Sequence, residues 1–177
     1  EYVAGHDLFD KTREGKNYLE HILNCKIQTF VPPHNTITRI GYEAVVRNQM
    51  NLVGTPSFLR SAYRPFNASN ITKYLKQKYY KSRYDINYPY IFKFNDHMEV
   101  NHISVTPSQT METIKQALLN TYKLNGVFIF AVHYHAFNKK LKSGEVIKDV
   151  LSEVIDIISN MPNTEYMSYN DLWKTNK

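Results

Sequence analysis

The apolar positions of this chain recur with two periods, and the alternation between them sets out its elements. Over residues 11–23, Tyr18, Leu19, Ile22 and Leu23 fall at i, i+1, i+4 and i+5, the spacing of one helix face. Residues 38–49 repeat that pattern with Ile40, Ala44 and Val45. Residues 144–160 carry it furthest, through Val146, Ile147, Val150, Leu151, Val154, Ile155 and Ile158. Two more helices are predicted over residues 71–80 and 109–122. The second is opened by Thr106-Pro107-Ser108, where a proline and a hydroxyl residue favour a helix start. Residues 170–173 read as a last helical turn.

Between these stretches lie short apolar runs of strand length, over residues 1–5, 26–31, 51–55, 89–94, 98–105, 127–132 and 164–167. Residues 89–94 and 98–105 alternate around Asn95-Asp96 and predict a hairpin. The run Val-Phe-Ile-Phe-Ala-Val at 127–132 predicts a strand buried on both faces, as in a parallel sheet. Residues 58–70 have weak periodicity and read as loop. Strands alternating with helices predict an α/β fold with mainly parallel strands, in one domain over residues 1–177. There is no internal repeat.

The run Phe30-Val31-Pro32-Pro33-His34-Asn35 is the most pointed feature. An apolar run stops at two prolines, and a histidine and an asparagine follow. In α/β folds, ligands bind outside the carboxyl ends of the strands. His6-Asp7, His34-Asn35, and His133 with His135 all fall at predicted strand ends, so a parallel sheet would gather them on one face. Imidazole can ligate a metal or carry a proton near neutral pH. On a strand, His133 and His135 would point to the same side and could share a metal. His97, Glu99 and His102 form another cluster, which the hairpin places on a peripheral element, and they are read as structural.

Composition changes this picture little. Hydrophobic residues make up 42% of the 177, enough for a core, and charged residues 21%. The net charge of +6 favours anionic partners. Part of it is local: Lys73, Lys76, Lys78, Lys81 and Arg83 alternate with Tyr74, Tyr79, Tyr80 and Tyr84. That stretch reads as a solvated helix face, and without a nucleic-acid motif no nucleic-acid partner is expected. The 14 tyrosines, with many Asn and Lys, read first as a bias of genome composition, and clustered tyrosines can also line a sugar groove, ring against ring. Cys25 is the single cysteine, so no internal disulfide forms, and its surroundings predict a small core residue. Asn67-Ala68-Ser69 and Asn70-Ile71-Thr72 fit the glycosylation pattern. No apolar run reaches 18 residues, so no transmembrane segment is expected, and a cytoplasmic or cell-envelope location would fit.

With Gly15-Lys16-Asn17-Tyr18-Leu19-Glu20 before it, Phe30-Val31-Pro32-Pro33-His34-Asn35 resembles a branch of the polysaccharide deacetylase family, also called NodB-like or carbohydrate esterase family 4. Residues 127–132 ending at His133 resemble the family's last motif. Glu165-Tyr166-Met167-Ser168-Tyr169-Asn170-Asp171-Leu172 resembles its final strand and helix start. The resemblance spans roughly residues 5–172. It implies a distorted barrel of parallel strands ringed by helices. It also implies a divalent metal, commonly zinc, on one aspartate and two histidines, and removal of N-acetyl groups from sugars of a polysaccharide or surface glycan. An aspartate would be the base and a late histidine the general acid.

Carried over residue by residue, His133 takes the general-acid position. His34 takes a position usually held by tyrosine, whose backbone N–H helps form the oxyanion hole. His6 would be a metal ligand, and Phe30, Pro33, Asn35 and His135 would line the substrate. The chain departs from the pattern in several places. Val31 stands where many members have arginine, His135-Ala136 stands where the branch has Trp-Glu, and no Asp-Asp pair precedes His6. Two explanations stay open: an amino-terminal strand carrying the aspartates lies upstream of Glu1, or the domain binds glycan without cleaving it.

Overall fold

The computed structural model describes residues 5–54 and 61–176, with His6 and His34 described by their backbone alone. The chain divides into two compact units. The first takes residues 1–78, 91–101 and 168–177, and the second takes residues 79–90 and 102–167.

In the first unit, α1 (Gly5–Leu23) precedes β1 (Thr29–Phe30), α2 (Arg39–Arg47) and β2 (Asn51–Val53). Helix α3 (Ala68–Tyr84) begins here, and β3 (Phe92–Lys93), β4 (Met98–Val100) and α6 (Tyr169–Thr175) complete the unit. The sheet order is β1-β2-β4-β3. The first three strands are parallel, with Phe30 opposite Leu52 and Leu52 opposite Glu99, and β3 lies antiparallel to β4. The predicted hairpin is therefore present, but β4 sits inside the sheet between β2 and β3 rather than at its edge.

Helix α2 starts where Thr38 Oγ1 accepts from the Gly41 N–H at 3.1 Å, a side-chain N-cap. Its Tyr42, Val45 and Val46 stand at i, i+3 and i+4 and bury against Met50 and Leu52, with Phe30 packed beside them. From α6, Trp173 is fully buried and its indole N–H donates to Thr29 Oγ1 at 2.8 Å, which fastens this helix to β1. Helix α1 packs differently from expectation. Arg47 lies 4.4 Å over the Phe9 ring, and Asn48 Nδ2 donates to the Phe9 carbonyl at 3.2 Å. The first turns thus meet α2, while the predicted face of Tyr18, Leu19, Ile22 and Leu23 is exposed.

In the second unit, β5 (Ile103–Ser104) pairs with β6 (Phe130–Ala131) in parallel. Helices α4 (Met111–Lys123) and α5 (Ile147–Ser159) bury Ile114, Leu118, Ile147, Val150 and Val154 into one cluster. Thr110, not the earlier Thr106-Pro107-Ser108, caps α4, its Oγ1 accepting from the Thr113 N–H at 3.2 Å. Tyr80 packs against Tyr84, Tyr88 and Tyr90, with ring centroids 5.3–5.9 Å away.

Several expectations are corrected. The strand placed over residues 1–5 lies outside the described residues except for Gly5, which already opens α1, so His6 and Asp7 stand on a helix. Residues 127–132 shorten to β6 and are only half-buried, and among the described residues β6 pairs with one strand, β5. Residues 164–167 form no strand, since no ladder partner pairs with them. Cys25 is exposed, because it falls in the turn after α1 and not on a packed face. Both sheets support an α/β fold with mainly parallel strands, and the described residues form no closed barrel.

Helices repeatedly end in left-handed backbone: Asn24, Gln49, Asp85 and Asn125 have φ between 48° and 58° just beyond α1 to α4. The residue after Asn125 is constrained by contact instead. A Cβ on Gly126 would sit 2.6 Å from Pro89 Cβ and 2.9 Å from the Pro89 carbonyl oxygen. That same carbonyl accepts from the Val127 N–H, so neither side can retreat without breaking the bond. Gly126→Ala is therefore expected to lower stability by about 1–3 kcal/mol, the usual cost of overpacking, read as a lower urea midpoint. An unchanged midpoint would show that the Pro89 contact yields freely.

Candidate functional site

A strand places alternate side chains on one face. His97 and Glu99 share such a face at the start of β4, and both are almost wholly buried, with side chains 1% and 2% exposed. Glu99 is the hub of a hydrogen-bond network. Its Oε1 accepts from Tyr42 Oη at 2.8 Å, from His97 Nε2 at 2.7 Å and from Arg64 Nε at 2.9 Å. Its Oε2 pairs with Arg64 Nη2. The guanidinium thus grips the carboxylate at two points, the geometry that makes Arg–carboxylate pairs strong. Arg64 belongs to the short bridged segment Ser61↔Arg64 before α3.

The donors determine the protonation pattern. Tyr42 has one hydrogen and gives it to Glu99. Its 2.6 Å contact with His97 Nε2 is then satisfied by a hydrogen on that nitrogen. His97 Nδ1 is buried without a hydrogen-bond partner, so a proton there would go unsatisfied, and the form that fits is the neutral ring protonated on Nε2. Burial first, then the charges of Arg64 and Lys73, hold the imidazole down to about 3. Burial also pushes the Tyr42 hydroxyl up, keeping it a donor. Burial draws Arg64 below its usual range, but guanidinium starts so high that it stays charged.

Beside this network lies a shallow recess lined by Arg64, Asn70, Lys73, Gln77, Phe92 and Phe94, with Tyr74 at its wall and a cavity volume of about 30 Å³, room for a water molecule or two. Phe94 stacks on His97, centroids 4.7 Å apart and planes 4° apart, and Lys73 Nζ stands 4.1 Å from the Phe94 centroid. The recess therefore combines aromatic surface, amides and two cations.

The residues singled out from sequence are distributed as follows. His6, Phe30, Pro33, His34 and Asn35 fall in the first unit, and His133 and His135 in the second. Phe30 ends β1 half-buried, while Pro33 and Asn35 are exposed in a 3-10 turn (Pro33–Asn35), with Asn35 at φ 55°. His133 and His135 are not alternate strand residues. They lie in and beside a second 3-10 turn (Tyr134–Ala136), exposed, with rings stacked 5.2 Å apart. Among the described residues, no three His, Cys, Asp or Glu side chains converge to hold a metal. His102 bonds Ser104 Oγ at 2.8 Å and belongs to the second unit, whereas His97 and Glu99 belong to the first. No protein-family model, curated protein or solved structure matches the chain.

Of these residues, the sequence singles out His97 and Glu99 only as a structural cluster with His102, and Tyr42 and Arg64 not at all. The available signal was the His-x-Glu spacing at 97 and 99: a histidine and a carboxylate on one face of a strand are rarely left without partners when buried.

The depressed His97 has a consequence for acid stability. Between about pH 6.5 and 3 the unfolded chain binds a proton that the folded chain does not. Stability is then fully present above pH 6.5 and falls on acidification, by about 1.4 kcal/mol per pH unit for this group. His102, also lowered by burial, adds to the same slope. His97→Gln keeps a donor but cannot titrate, so the urea midpoint of that variant is expected to fall less between pH 7 and pH 4.5 than in the parent. Equal slopes would remove His97 from the acid response.

Proposed function

We propose that this chain acts on an N-acetylated glycan as a metal-dependent deacetylase of the NodB-like type, with the distorted barrel that this family implies. The observation that carries the reading is the backbone at the Phe30–Asn35 motif. Strand β1 ends at Phe30, and the prolines fix the turn that follows. The turn's bonds run from the Asn35 N–H to the Pro32 carbonyl and from the Thr36 N–H to the Pro33 carbonyl. His34 is the middle residue of this turn. A backbone N–H held by a rigid turn just beyond a strand end is the kind of donor an oxyanion hole uses, and this reading gives that role to His34.

In this reading the His34 N–H stabilises the developing charge on the acetyl oxygen, with Phe30, Pro33 and Asn35 beside it. The family resemblance, not the placement of the two units, gives His133, exposed just beyond β6, the role of general acid toward the departing amine and His135 a contact with the sugar. His6 would be a ligand of the divalent ion, zinc in the family pattern. The described residues do not build that site, and no step is drawn through the ion.

A second reading, glycan binding without hydrolysis, is favoured by the aromatic and amide lining of the recess, since such surfaces take sugar rings without reacting with them.

Acetate release from an N-acetylated chito-oligosaccharide separates the two. The hydrolase is expected to release acetate, and His133→Ala to lower kcat by about 10²- to 10⁴-fold, the usual contribution of a general acid. Retention of the oligosaccharide without any acetate release would sink the hydrolase and leave the binding module. Neither retention nor release would remove both.

A further inference from the structure

Helix α1 uses one side and leaves the other bare. Phe9 meets Arg47 and Asn48 at the end of α2, and Glu20 Oε1 accepts from the Ile27 N–H at 2.9 Å, which fixes the turn beyond the helix. Phe9 and Glu20 are about three full turns apart, so they share a side. Tyr18 and Ile22 stand two positions before and after Glu20, about 200° round the helix, and point away from that side. With Leu19 and Leu23 they are 46–66% exposed. Gly15 continues the bare side one turn earlier, and a Cβ built there would meet nothing within 4 Å. Single apolar residues are normal on a surface, but four large ones along two turns mark an interaction face.

Charge narrows the partner. The helix carries four carboxylates and three Lys or Arg cations, so it lacks the basic polar face that draws an amphipathic helix onto an anionic membrane. Asp7 pairs with Lys11, Asp10 with Arg13 and Glu20 with Lys16, all within the helix. That leaves Glu14 and, in the turn held by Glu20, Lys26. Both are exposed, and among the described residues neither takes an ion pair. They stand six positions before and six after Glu20. Two copies of α1 lying antiparallel and crossing at Glu20 would set Glu14 level with the partner's Lys26 and Tyr18 level with the partner's Ile22, each contact made twice. A parallel pair would set like charges together, and would also align the helix dipoles that the antiparallel pair opposes. The face is thus complementary to itself about a two-fold axis, which is what a closed dimer requires.

We propose that the bare side of α1 is the interface of an antiparallel homodimer, with Tyr18 packed against the partner's Ile22 and Glu14 paired with the partner's Lys26. Four large side chains per copy make a small interface, so association is weak, with a dissociation constant on the order of 10–100 µM. The dimer uses none of the residues to which the glycan reading gives a role.

The test is sedimentation equilibrium of the full chain under reducing conditions, from 5 to 500 µM. The mass is expected to rise from that of one chain toward that of two. Ile22→Glu, checked for parental circular dichroism, is expected to weaken association at least tenfold. Glu14→Lys is expected to weaken it at least threefold, and Glu14→Lys with Lys26→Glu to restore it. Cys25 reports the order of the helices, because antiparallel crossing at Glu20 leaves the two copies of this exposed thiol about 15 Å apart along the axis. A bismaleimide of that span is expected to link the parent at 100 µM and not Ile22→Glu. A single mass at every concentration would overturn the dimer, and parental association in Ile22→Glu would move it to another face. No recovery in the charge swap, or a Cys25 disulfide that forms on mild oxidation of the parent but not of Ile22→Glu, would overturn the antiparallel order. Acetate release plays no part in these outcomes, so they leave the deacetylase reading to its own assay.

Discussion

The first unit depends on where it puts one carboxylate. Glu99 lies in the interior of β4, between β2 and β3, with its side chain almost wholly buried. Burying an ion in that way is tolerable only when its partners are fixed in advance. The partners come from separate parts of the chain: Tyr42 from the buried face of α2, Arg64 from the segment before α3, and His97 from the hairpin turn. Each must arrive for the others to be satisfied. Removing one partner from such a pair typically costs about 3–5 kcal/mol, while an apolar replacement of the whole group can be neutral. What the network contributes is therefore register more than stability. A one-residue slip of β4 would turn Glu99 to the opposite face and leave Arg64 buried without a counter-charge.

That constraint also shapes the surface beside it. Because Arg64 is committed to Glu99, the second cation, Lys73, is left to the recess. Because His97 is neutral, its flat ring can support Phe94 without adding a third positive charge. The polar interior and the open recess are thus one construction: the buried half sets the charge and the stacking of the exposed half. The Phe30–Asn35 turn is built on other grounds, from a short parallel strand, two prolines and a left-handed asparagine.

Much of this architecture was legible in the chain. Helices α2, α4 and α5 stood where apolar residues repeat at helical spacing, since tertiary burial and periodicity agree there. The hairpin followed from alternation around Asn95-Asp96. The misreadings share a cause: periodicity says which residues can face a partner, not whether a partner exists. Tyr18 and Ile22 form a proper helix face with nothing over it, and residues 127–132 form an apolar run with one neighbour in place of two. The candidate site was less legible still. Tyr42, Arg64 and Glu99 are separated by 22 and 35 positions, and only folding brings them within hydrogen-bond distance. His34 and His133 stand out in the chain because each follows an apolar run, a local signal that survives without tertiary information.

The left-handed helix ends carry a consequence for how the unfolded chain behaves. Only 6 residues are glycine, and asparagine, aspartate or glutamine takes the positive φ that glycine usually supplies. Each such residue strains the folded backbone by roughly 1 kcal/mol. Each also has fewer accessible conformations than glycine when unfolded, so less entropy is lost on folding. The two effects oppose and are similar in size. A chain built this way tolerates exchange to glycine at these ends with little net change, while a β-branched side chain, which finds no comfortable left-handed state, would be excluded. The helix stops are thus held by steric exclusion of most residue types, not by any one contact that a rival sequence would have to reproduce.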